Sequence, residues 1–162
     1  MAVRFSSFFE YPDLEEQDSS NDFSFLGDCS EDEWDKVVDL TQRRKFLAGD
    51  TIVAEGEADR ALYIVASGTL EVRVRQSKGL RTRVTTISKG SIFGEQAFLD
   101  GQPRSAQVRA VTDGELLILT LDAFKSLVGW EPKLATQILF DLGRILSIRL
   151  RHTTALISKW GG

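Results

Sequence analysis

Cysteine and histidine are almost missing from this sequence of 162 residues, which holds only Cys29 and His152. One cysteine excludes an internal disulfide and a cysteine-cluster metal site. One histidine leaves a His-based metal centre or a catalytic triad without its parts. Although 42% of the residues are apolar, no run approaches the roughly 20 needed to cross a bilayer as a helix. The opening stretch, MAVRFSSFFE, lacks a sustained apolar segment and a small-residue cleavage site, which argues against a signal peptide. These absences imply a soluble, cytoplasmic chain with no membrane insertion. Its length suits one domain with a real core, and ten phenylalanines and three tryptophans oppose wholesale disorder.

What charge there is lies unevenly. The net charge is -4, yet residues 1–35 hold eleven acidic residues against Arg4, a net of -10. The remainder carries nineteen basic and thirteen acidic residues, a net of +6. A basic body with an acidic leader suits a small anionic ligand, and the leader could lie across that body or reach a partner. The lysines and arginines form no stripe along a helix face, so no DNA surface is expected.

Residues 1–22 mix Phe, Tyr, Pro, Ser and acidic residues without a period and read as an acidic flexible leader. The domain is expected over 23–158. Ser30 and Glu33 form a capping box, with Cys29 and Trp34 as the matching hydrophobic staple, so a helix should run to about Leu40. From about 43 to 120 the pattern becomes short apolar or alternating runs separated by glycines, which predicts a sandwich or barrel-like roll. Residues 73–83 should form an exposed basic hairpin. Beyond the roll, helices are expected over about 122–158, with Asp122 capping the first and Pro132 opening the second. On that long helix Leu134, Ile138, Leu142 and Ile145 share one face, with Arg149 on the same apolar stripe and Phe140 on the polar side.

The stretch 92–108, IFGEQAFLDGQPRSAQV, carries the chemistry. A cyclic nucleotide has one ring phosphate charge, which a guanidinium such as Arg104 can meet with parallel hydrogen bonds. A short helix from about Glu95 would aim backbone N–H groups, that of Ala97 among them, at the same oxygens. Gly94 removes a side chain where backbone must approach closely, and Glu95 offers an acceptor for a ribose hydroxyl.

Phe93-Gly94-Glu95, the short helix, and Arg104-Ser105-Ala106 resemble the phosphate-binding cassette of the cyclic-nucleotide-binding domain family. The run 103–106 looks most like bacterial channel domains, and the Glu95–Arg104 separation is similar to that in kinase regulatory subunits. The resemblance spans about 25–155. It implies a mainly β fold with flanking helices: a double-stranded, jelly-roll-like β-roll with an N-terminal helix and a long C-terminal lid helix. It implies Gly94, Glu95, Ala97, Arg104, Ser105 and Ala106 as phosphate and ribose contacts and Arg149 against the purine. The alternative for Arg149 is a packed stem with its head in solvent.

The expected function is a stand-alone sensor of a cyclic purine nucleotide, cAMP before cGMP, with no enzymatic activity and no cofactor. Its lid helix would regulate an unidentified protein partner or a homodimer, with Phe140 as a contact. The alternative is a ligand-free β-roll interaction scaffold. Roughly ten residues follow His152, too few for a helix-turn-helix, so operator binding is not expected.

Overall fold

The computed structural model describes residues 25–76 and 78–160, with the side chains of Leu156 and Trp160 left aside; the leader lies outside them. Helix α1 (Glu31–Asp39) begins with the expected capping box: the Ser30 hydroxyl accepts from the Glu33 N–H, and the Glu33 carboxylate accepts from the Ser30 N–H. Cys29 and Trp34 both pack against the helical side of the core.

Eight short strands follow: β1 (Gln42–Phe46), β2 (Thr51–Val53), β3 (Leu62–Ser67), β4 (Leu70–Arg75), β5 (Arg81–Ile87), β6 (Ile92–Phe93), β7 (Gln107–Ala110) and β8 (Gly114–Leu119). The six-residue helix α2 (Glu95–Asp100) stands between β6 and β7. All strand pairs are antiparallel, in two four-stranded sheets ordered β1-β8-β3-β6 and β2-β7-β4-β5. Helices α3 (Leu121–Trp130) and α4 (Pro132–Trp160) complete the chain. This is the double-stranded β-roll with flanking helices that the sequence resemblance implies.

Side-chain alternation explains why the two sheets read so differently. On β3, Leu62 and Ile64 enter a core shared with α1, α3 and α4, while Tyr63 and Val65 enter the core between the sheets. A strand buried on both faces reads as an unbroken apolar run, Leu-Tyr-Ile-Val. Strand β4 has only one covered face, so Leu70 and Val72 are buried while Glu71 and Arg73 are not. Gly68, at φ +87°, makes the tight β3–β4 turn; a Cβ there would lie 2.6 Å from the Asp113 carbonyl oxygen.

The stripe Leu134, Ile138, Leu142 and Ile145 is buried as its period requires, and Phe140 is 67% exposed. Asp141 lies on the buried side, where its Oδ2 accepts the Leu26 N–H at 2.6 Å and ties α4 to the first described turn.

One expectation fails. The N-cap of α3 is Thr120, whose Oγ1 accepts the Ala123 N–H at 3.1 Å, and Asp122 sits inside the first turn. Both spacings fit a capping pattern; strand β8 ends at Leu119, which starts the helix two residues earlier than expected. Thr120→Ala should therefore cost about 1 kcal/mol in urea unfolding. Asp122→Ala should cost less than half of that, because Asp122 contributes only charge near a helix N-terminus.

Candidate functional site

The chain leaves β6 into Gly94, which takes φ +82° as the N-cap of α2. Little else fits there: a Cβ would meet Arg104 Nη1 at 2.6 Å and the Ala61 carbonyl oxygen at 2.9 Å. The Phe98 N–H donates back to the Gly94 oxygen at 3.1 Å, so the N–H groups of Glu95, Gln96 and Ala97 precede the first intrahelical bond. At its far end α2 is held by Arg60, whose Nη2 donates to the Phe98 and Leu99 oxygens at 3.0 and 3.1 Å. A cation at a helix C-terminus satisfies carbonyls that the helix cannot.

Ten residues on, Arg104 is only 5% exposed. Its backbone is clamped to the loop after β2, with N–H to the Glu57 oxygen at 2.9 Å and carbonyl from the Gly56 N–H at 2.8 Å. Its guanidinium makes three bonds: Nη1 to the Gly94 oxygen at 2.9 Å, and Nη2 to the Ala61 oxygen and to Asp59 Oδ2, both at 2.8 Å. A guanidinium has five N–H donors. The Nε–H of Arg104 is buried and has no partner among the described residues.

Asp59 also accepts the Tyr63 hydroxyl at 2.5 Å, and the Tyr63 ring stacks on Phe93 at 4.8 Å with Arg104 5.4 Å above it. Burial alone would raise the Asp59 carboxyl, but hydrogen bonds from Tyr63 and Arg104, with the Arg104 charge, hold it below the usual carboxylate value. The Tyr63 phenol is pushed well above its ordinary value, first by burial and then by its bond to Asp59.

Of these groups Phe93 and Arg104 border a cavity of about 270 Å³, close to the small end of the roughly 300–1,000 Å³ usual for small-molecule sites. Val53, Val72, Val74, Val84 and Val108 line it with apolar surface. Gly94, Glu95, Ala97, Arg104, Ser105 and Ala106 all line it too, so the structure brings six of the seven sequence-derived residues together. Ser105 Oγ donates to Gln96 Oε1 at 3.4 Å.

Arg149 is not in that lining. It reaches in from α4 instead, forming an ion pair with Glu95 and donating from Nη2 to the Ile92 oxygen at 3.1 Å. Its side chain is 8% exposed and that of Glu95 6%, so the arrangement with a solvent-exposed head does not hold. Two opposite charges buried together satisfy each other where either alone would be costly. Trp130 is half-exposed at the end of α3 and also lies outside the cavity lining.

The sequence profile of the cyclic nucleotide-binding domain matches residues 43–129, over half of the chain. The chain belongs to that family. Over 94 residues it is 38% identical to the cAMP-dependent protein kinase regulatory subunit of Emericella nidulans, a match covering 58% of this chain and 22% of that protein. Over 108 residues it is 32% identical to a CRP-like cAMP-activated global transcriptional regulator of Mycobacterium tuberculosis, covering 67% and 46%. Among solved structures, the Thermus thermophilus catabolite activator protein superimposes with a TM-score of 0.77 at 28% identity, over 85% of this chain and 62% of that one. The matched region is thus about a fifth to three fifths of each relative's length.

Asp59, Arg60 and Tyr63 were not among the sequence-derived residues. A charged pair just before an apolar strand is the only signal they give, and nothing local links it to residue 104. Because the folded-state pKa of Asp59 is depressed, its contribution to stability is present above the unfolded value of about 3.9 and is lost as pH falls through the folded one. Asp59→Asn should therefore be less stable than wild type at neutral pH. The gap should close below about pH 4, measured by denaturant midpoints across the acid range.

Proposed function

We propose that this domain is a cyclic-nucleotide sensor that binds cAMP, with cGMP as the alternative, and reports occupancy through α4. The observation that carries this reading is the buried guanidinium of Arg104 at the rim of the cavity, held by three protein acceptors and keeping an unpartnered buried Nε–H. A group fixed this firmly loses little freedom when it meets an anion. The ring phosphate would take the remaining guanidinium donors together with the N–H groups that begin α2, Ala97 among them. Gly94, Ser105 and Ala106 would border it, and the valines would cover the purine.

Glu95 would accept from the ribose hydroxyl. Because Glu95 is already paired with Arg149, a nucleotide there alters the environment of a side chain carried by α4. That gives the ligand a differential contact with the helix, as a population shift requires. The helix in turn would act on a protein partner or a second copy. Leu139, Phe140, Leu150 and Ile157 leave an exposed apolar series on α4 for such a contact. No catalytic group is needed for this role, and none is proposed. We further propose a cytoplasmic setting without DNA binding by these residues. Among those described, no helix is long and apolar enough to cross a membrane.

A second reading, a β-roll scaffold that binds no nucleotide, draws on one observation: Glu95 and Arg149 already satisfy each other's charge.

Displacement of a fluorescent cAMP analogue separates these readings, because the wild type binds it only under the first, and Arg104→Ala then tests the site. Truncating a buried charge partner commonly costs about 2–5 kcal/mol, so affinity should fall by roughly 30- to several-thousand-fold. A folded Arg104→Ala protein that binds as tightly as wild type would remove Arg104 from the site.

A further inference from the structure

The outer face of the second sheet carries a feature the nucleotide site does not use. Strand β4 pairs with β5 so that Arg73 lies opposite Arg83, and Arg75 opposite Arg81. On its other side β4 pairs with β7, placing Glu71 opposite Arg109. Residues directly opposite in an antiparallel pair share a face, so five arginines occupy one outward surface. Val72, Val74 and Val84 on the same strands line the cavity from the other side.

Like charges set directly across a ladder repel. Two of the five arginines have a carboxylate nearby: Arg73 Nε lies 3.6 Å from Glu71, and Arg81 Nη1 3.2 Å from Glu55. Arg75, Arg83 and Arg109 are exposed and form no ion pair among the described residues. Alternate residues along a strand stand about 6.6 Å apart and neighbouring strands about 4.8 Å, so the guanidiniums form a grid that an extended row of carboxylates could match.

The chain itself supplies such a row. Residues 10–18 contain Glu10, Asp13, Glu15, Glu16 and Asp18 and no basic residue. The described chain starts at Phe25, which packs in the core on the helical side of the roll. Two layer spacings of about 10 Å separate that side from the arginine face. Seven to fifteen extended residues before Phe25 reach about 25–50 Å, enough for positions 18 to 10 to arrive there.

We propose that the arginine face of β4, β5 and β7 is a docking surface for the acidic segment 10–18 of the same chain. The five carboxylates offset the repulsion between paired arginines, and attachment to the domain keeps their effective concentration high. A more acidic partner segment would compete for the same face, so the surface is one that a partner can reach by displacing the chain's own leader.

The test uses the full chain carrying Cys29→Ala and a nitroxide on Glu16→Cys, with amide peak heights read by NMR. At about 20 mM salt, the amides of Arg81–Ile87 should lose intensity. The loss should disappear at about 1 M salt, where the Debye length is about 3 Å. It should also disappear at low salt when Arg75, Arg83 and Arg109 are all changed to Gln, with unshifted core peaks confirming the fold. Full β5 intensity at low salt would overturn the proposal. So would broadening elsewhere instead, a loss indifferent to the triple substitution, or a loss seen only between labelled and unlabelled molecules.

Discussion

A guanidinium removed from water must be paid back with contacts, and in this protein Arg104 sets the terms for much of what surrounds it. Burying an unpaired charge costs several kcal/mol even after the protein relaxes. Here the cost is offset by Asp59, by two backbone carbonyls and by the face of Tyr63. All but the Gly94 carbonyl come from the stretch 59–63 that leads into β3. Ala61 presents its oxygen at the last position before β3, Gly94 because it turns at positive φ without a Cβ, and Asp59 because the loop after β2 is stitched to the Arg104 backbone. The roll therefore converges two separated segments, residues 59–63 and Gly94, on one side chain.

A second charge pair connects this centre to the helices. Glu95 opens α2, and its partner Arg149 sits far along α4, on the apolar stripe that packs α4 against the roll. The cassette and the long helix thus meet through a buried salt bridge, the direct contact on which the proposed response of α4 rests. Further round α4, Leu139, Phe140, Leu150 and Ile157 remain exposed.

Much of this was legible in the sequence where the signal was local. The capping box at Ser30 and Glu33, the glycine-punctuated strands, the 134–145 stripe and the cassette at 94–106 each depend on residues close together in the chain. The long-range partners were not legible. Asp59 lies 45 residues from Arg104, and no periodicity joins them. Arg149 stood out as a charge on an apolar stripe, yet its partner could not be read from its neighbours, and Glu95 had a separate role in the cassette. The Thr120 cap was missed because Thr120 and Asp122 both fit the pattern, and only the end of β8 decides between them. The basic hairpin was expected to be exposed; the register that sets arginine opposite arginine depends on a bulge between Val72 and Arg73 that composition does not reveal.

The central claim is that a buried, preorganised arginine makes this cavity a cyclic-nucleotide site. Isothermal titration calorimetry of the full chain, first shown to be free of co-purified nucleotide, tests it most directly with cAMP and cGMP in turn. The account predicts saturable one-to-one binding, tighter for cAMP. A folded, nucleotide-free protein that gives no heat and gains no thermal stability with either ligand would contradict it.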